Sequence, residues 1–283
     1  VYVLRMHRPD YHSFEELVSE QTWTGALRES GLAVPIPVMT RRDEPYSDLT
    51  VMGQHRFTGV LEWVSGETMR SEMAAHHDLH YAASCFGELG RLLGRLHNQA
   101  SAWPLPRNFK RHALNAQGLM GERPFWGPFW EAGALSSAQR RLFAEIRMQI
   151  FQILSDLPED PDNYSLIHAD LHPGNVVMNG HHLHVIDFDD AGFGWHAYDL
   201  AVALKDYQDH PQFEAFRGSL IQGYLEVRPV QREILALIPL FLLIRALASI
   251  GWAAARPELE LTDYLLDLAA YAEDQAEPVL ASF

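Results

Sequence analysis

A chain of 283 residues is long enough for one large domain or two coupled lobes, and its 47% hydrophobic and 21% charged residues exclude a disordered chain. A formal net charge of −15 excludes the basic stripe that a phosphate-backbone binder needs, so nucleic acid is not an expected partner. The acidic balance reads either as solvated helix faces or as a cleft that attracts a cationic substrate.

Val1-Tyr2-Val3-Leu4-Arg5-Met6 is β-rich with partial alternation and predicts a strand. The sequence opens on Val1 rather than Met, in what reads as mid-strand, and residues upstream of it are expected. Ser13-Phe14-Glu15-Glu16 has capping-box spacing and predicts a helix running to about Ser30, ended by Gly31 and the Pro35/Pro37 pair. Strand-like stretches at 50–52 and 57–64 follow, joined by a turn at Gly53. This part is small and α+β, and the boundary is drawn near Gly66, giving lobes 1–66 and 67–283.

From about Ser84 the pattern turns helical, with Cys85, Phe86, Leu89, Leu92, Leu93 and Leu96 on one apolar stripe. Cys85 is the only cysteine, so no intramolecular disulfide is possible; a buried thiol and a reducing, cytoplasmic compartment are expected. Residues 100–131 are too rich in Trp, Pro and Phe for one long helix. Trp126 and Trp130 read as lobe packing, with a wall against a substrate ring or cationic head group as the rival role. Another amphipathic helix is predicted over 137–154. Asn179-Gly180 is a hairpin signal, flanked by strand-like 175–178 and 184–186. His181, His182 and His184 around that turn, and His76, His77 and His80, are expected on the surface rather than at a metal. The remainder alternates helical runs with Pro229, Pro239 and Pro257. Its most apolar run, 235–244, ends at Arg245 and is about half a membrane span, so a buried helix is expected and no membrane partner.

The chemistry is concentrated in His168-Ala169-Asp170-Leu171-His172-Pro173-Gly174-Asn175 and in Ile186-Asp187-Phe188-Asp189-Asp190. Phosphoryl transfer asks a protein for a carboxylate at the attacking hydroxyl, oxygen ligands for a dication and fixed in-line geometry. Asp170 and Asn175, five residues apart on one loop, can serve hydroxyl and metal together, and a hairpin can bring Asp187 alongside. Hard oxygen ligands suit Mg²⁺. Each residue alone is equally well a turn or strand-end residue; their joint order carries the reading.

His168-x-Asp170-x-x-x-x-Asn175 with Ile186-Asp187 resembles the aminoglycoside phosphotransferase and choline kinase group, distant relatives of protein kinases. The likeness extends through Leu89-Gly90-Arg91-Leu92-Leu93-Gly94-Arg95-Leu96-His97, Asp190 and Tyr198-Asp199-Leu200-Ala201. The resemblance implies an α+β, bilobal protein-kinase-like fold with ATP and Mg²⁺ in the cleft. It makes Asp170 the catalytic base or hydroxyl-orienting carboxylate, Asn175 and Asp187 the Mg²⁺ ligands, and His168 the residue that holds the loop. Glu62 and Val64 would meet adenine through their backbone, and Glu20 would pair with the phosphate-gripping cation. His172 would face phosphate or substrate. Two departures stand out: Arg5 takes the place of the strand lysine, and no Gly-rich loop precedes it, so the first strands and that loop are expected to be missing from this sequence. The activity implied is transfer of the γ-phosphoryl group to a small-molecule hydroxyl of aminoglycoside, choline or homoserine type. A Ser/Thr protein kinase of the bacterial stress-response type and a nucleotide-binding module without turnover are the alternatives.

Overall fold

The computed structural model describes residues 1–180 and 182–283; His181, expected at the surface, lies outside the described residues. In chain order the first part holds β1 (Tyr2–Met6), α1 (Phe14–Glu29), β2 (Pro37–Val38), β3 (Tyr46–Val51) and β4 (Gln54–Glu62). The strands form one antiparallel sheet in which β4 pairs with all three others. Helix α1 starts as predicted: the Glu16 N–H donates to Ser13 Oγ, and the Ser13 N–H donates to the Glu16 carboxylate. The β3–β4 turn is tight because Met52 and Gly53 both take positive φ, the geometry that matches strand twist in a two-residue hairpin.

Gly66 follows, and its φ of +134 and its contact with the Met178 carbonyl leave no room for a Cβ, which would sit 2.1 Å from that oxygen. Beyond it come β5 (Glu67–Thr68), α2 (Met69–His76), α3 (Leu79–Ala102), β6 (Ala113–Leu114), α4 (Ala116–Met120) and α5 (Ser137–Asp156). Then follow β7 (Tyr164–Ile167), β8 (Val176–Asn179), β9 (His182–Val185), β10 (Gly192–Trp195), α6 (His196–Leu204), α7 (Phe213–Val227), α8 (Arg232–Ala236), α9 (Ile238–Ala254) and α10 (Thr262–Leu280). Two three-stranded sheets, β6-β10-β7 and β5-β8-β9, carry the polar loop and the hairpin between them.

The core lies among the helices. Helix α3 packs on α7 at backbone contact: a Cβ on Gly90 would fall 2.0 Å from the Leu220 carbonyl oxygen, and one on Gly223 would fall 2.0 Å from that of Gly87. Every residue of α6 is buried. The apolar run expected to stop near residue 244 continues to Ala254. Residues 232–254 are long and apolar enough to cross a membrane by length and composition, yet 78% of their most apolar window is buried inside the fold, as in a core helix. Cys85 is buried, and burial pushes its thiol up to about 11, as expected of an inert core residue. Trp126 is buried too and stacks on Tyr198, so it packs the lobe rather than walling a site. His76, His77, His80 and His182 are exposed; His184 is not, because its strand sits against Ala33.

Candidate active site

The polar loop is built from its backbone first. It leaves β7 with Ala169 in the left-handed region, φ +65, and closes with a 3₁₀ turn at Pro173–Asn175. The buried Asp199 carboxylate accepts the backbone N–H groups of His168 at 2.9 Å and Ala169 at 2.7 Å. Asp199 in turn faces His97 Nε2 at 3.1 Å, and His97 Nδ1 faces the Tyr224 hydroxyl at 2.9 Å. A carboxylate only accepts, so Nε2 donates and Nδ1 accepts the tyrosine proton. Helices α3, α6 and α7 thereby hold one loop through one buried chain of hydrogen bonds. His168 continues it: Nε2 donates to the Ile186 carbonyl at 3.0 Å, and Nδ1 accepts the Asp170 N–H at 3.3 Å.

Asp170 is gripped from three sides. Arg245 Nη2 lies 2.6 Å and Lys205 Nζ 3.2 Å from Oδ1, while Asn175 Nδ2 donates to Oδ2 at 3.1 Å and to the main-chain oxygen at 2.9 Å. Burial alone would raise this carboxyl's pKa. The charges of Arg245 and Lys205 override it and hold the group well below the usual carboxylate range. His172 Nε2 stands 3.7 Å from Oδ2, its Nδ1 accepts the Gly174 N–H, and burial brings its imidazole down to about 4, so it is neutral near pH 7.

Asp187 follows the hairpin with φ +66. Burial of the carboxyl raises its pKa against the pull of Arg5 3.4 Å away, and Asp189 adds to the rise. Asn175 spends its amide N–H on Asp170, which leaves Oδ1 as its free donor atom. Those two oxygen donors, beside carboxylates that repel one another, fit a hard dication such as Mg²⁺. Arg5 Nη1 meets the buried Glu20 carboxylate at 3.0 Å, and its Nη2 meets Asp189 at 3.2 Å. One guanidinium so joins α1 to the segment after the hairpin through two separate nitrogens. At the end of β4 the Glu62 N–H is taken by the Ile36 carbonyl, 2.8 Å away, so Glu62 offers a ligand its carbonyl; half-buried Val64 lies just beyond the strand.

A profile described as the phosphotransferase enzyme family, APH, matches residues 1–235. The chain belongs to this family. Amicoumacin kinase of Bacillus subtilis (strain 168) is 26% identical over 295 residues, covering 100% of this chain and 79% of that protein. Homoserine kinase of Rhizobium meliloti (strain 1021) is 31% identical over 224 residues, covering 76% of this chain and 60% of its own length, so the chain spans under two thirds of that relative. The structure of a microcompartment-associated aminopropanol kinase matches with a TM-score of 0.85 at 28% identity, over 99% of this chain and 86% of that one. The fold is therefore the bilobal, kinase-like one of the family.

Three residues of the site escaped the sequence reading. Asp199 was seen only as part of a motif, and its grip on two loop amides needs the fold. Lys205, just past α6, gave no signal. Arg245 did leave a trace, as the one charge that interrupts the apolar run of α9, since an arginine in such a helix is buried only with a partner. That partner is Asp170.

Proposed function

We propose that this phosphotransferase uses ATP, with Mg²⁺ held by Asn175 and Asp187, to phosphorylate the hydroxyl of a small amine-bearing acceptor. The observation that carries this reading is Asp170: ionised, fixed from three sides, and still 22% exposed. In that state it accepts a hydrogen bond from the acceptor hydroxyl and aims its oxygen. It is too acidic to remove the proton ahead of transfer, and takes it late, as the new P–O bond makes the hydroxyl acidic. Lys205 and Arg245, on the same carboxylate, stabilise negative charge on the phosphoryl group in passage. Arg5, braced by Glu20, grips the nucleotide phosphates, and the Glu62 carbonyl and Val64 N–H meet adenine. His172, neutral and beside Asp170, donates from Nε2 toward phosphate or acceptor. Bound Mg²⁺ supplies charge neutralisation on the phosphates. An amine on the acceptor accords with the net charge of −15 and with the homoserine and aminopropanol kinases that the chain resembles. Lobes divided near Gly66 and a cytoplasmic setting complete the reading.

The test is ADP release from Mg-ATP across amino alcohols, homoserine, aminoglycosides, sugars and a generic protein acceptor, with Asp170→Ala as control. A small-molecule hit that falls by ~10³-fold or more in Asp170→Ala, with nucleotide binding retained, is the expected result. Turnover unchanged in the variant, or phosphate reaching only the protein acceptor, would overturn it.

A further inference from the structure

His12 lies just ahead of the Ser13 cap of α1, Glu16 lies in the first turn of that helix, and His112 comes immediately before β6. One ring nitrogen of each histidine and a Glu16 carboxylate oxygen lie within 4.8 Å of one another. Both rings are oriented by main-chain carbonyls of the segment after the hairpin: His12 Nε2 is 2.7 Å from the Asp189 oxygen, and His112 Nε2 is 3.0 Å from the Asp190 oxygen. A carbonyl only accepts, so each Nε2 carries the proton and each Nδ1 carries a lone pair. Both Nδ1 atoms are buried and without a hydrogen-bond partner, and His12 is only 6% exposed.

The nearby Arg111 does not fill the gap. Its N–H groups go to the carbonyls of Glu16, Phe188, Asp189 and Ala191. Nor does a proton: burial first, then the Arg111 charge, hold both imidazoles below their ordinary pKa. Glu16 spends one oxygen on the Ser13 N–H at 2.8 Å and keeps the other. The cluster thus keeps two unpartnered Nδ1 atoms and one uncommitted carboxylate oxygen.

We propose that His12 Nδ1, His112 Nδ1 and the Glu16 carboxylate form a second metal site, for Zn²⁺, separate from the Asn175–Asp187 pair. Two imidazoles and a carboxylate are a zinc donor set that leaves a fourth position for water. A ligating histidine whose other nitrogen donates to a backbone carbonyl has the outer shell such sites use. Donors in a tetrahedral zinc site lie about 3.4 Å apart, so side-chain rotation is needed to close the cluster around an ion. The ion would clamp the start of α1 and His112 onto residues 188–191, directly behind Asp187.

The experiment uses the full chain, stripped of metal and carrying no histidine tag. Zn²⁺ is titrated against a chromophoric chelator, and Co²⁺ replaces it for visible absorption. The expected result is one tight ion per chain, a four-coordinate Co²⁺ spectrum and a raised thermal midpoint. Binding should weaken by at least ~10-fold in His112→Gln and in Glu16→Gln, which keeps the cap acceptor, and persist in Asp187→Asn. Weak, multiple binding insensitive to these variants means adventitious surface histidines and overturns the site; so does loss of binding in Asp187→Asn alone. Should His112→Gln fail to match the metal-free parent in circular dichroism, Glu16→Gln and the Co²⁺ spectrum of the parent decide.

Discussion

Arg5 stands where three carboxylates meet, and its guanidinium divides between them: Nη1 to Glu20, Nη2 to Asp189 and, more distantly, to Asp187. Arg5→Lys keeps the charge and loses the fork, so both contacts must be made from one nitrogen and weaken. The KM for ATP should rise by ~10-fold, about 1.4 kcal/mol, with kcat falling less. An unchanged KM would detach Arg5 from the phosphates. Asp190 makes a second case at this scale. Tyr11 and Trp126 donate to its carboxylate, but burial dominates and raises its pKa to about 6. In the unfolded chain the same group titrates near pH 4. Its protonated form thus favours the fold fully below about pH 4, and that contribution is lost as pH rises through 6, up to about 3 kcal/mol. Asp190→Asn removes the titration. Urea midpoints of the two proteins should converge at acid pH, with the variant the more stable at pH 8; parallel curves would reject the assignment.

At the scale of elements, glycines separate contact from freedom. Gly90→Ala forces α3 away from α7 and should cost about 1–3 kcal/mol or more, whereas Gly25→Ala on α1, with nothing within 4 Å of the new methyl, should gain about 0.5–1 kcal/mol. Denaturant midpoints measure both, and equal effects would contradict the packing described. The same contrast governs what the sequence allowed one to read. The capping box of α1, the apolar stripe of α3 and the 179–180 turn are local, and each reports on neighbours a few residues away. The joint order of His168, Asp170, Asn175 and Asp187 was legible for that reason, because one loop and one hairpin carry all four. The Asp170–Arg245 pair spans 75 residues and the Asp170–Lys205 pair 35, and no local periodicity encodes such a meeting. The buried helix expected at 235–244 is there, and its full length to Ala254 was hidden by Arg245, whose partner lies across the core.

Across the whole molecule, residues of the first 66 positions reach the segment 187–190 repeatedly: Arg5 and His7 meet Asp189, Tyr11 meets Asp190, and His12 meets the Asp189 carbonyl. The turn before α10 also meets the first strand's end through Glu258, which pairs with Arg8. None of this cross-bracing showed in composition or charge, whose balance spoke only of a globular acidic enzyme. Beneath it runs the chain from Tyr224 through His97 and Asp199 to the amides of His168 and Ala169. Those two amides belong to a loop by position but to the helical core by energy. In deuterium oxide they should therefore exchange with the slowest amides of α3 and α7, on the time course of global opening, while neighbouring loop amides exchange early. Fast exchange at Ala169 would mean that the loop breathes independently of the helices that hold it.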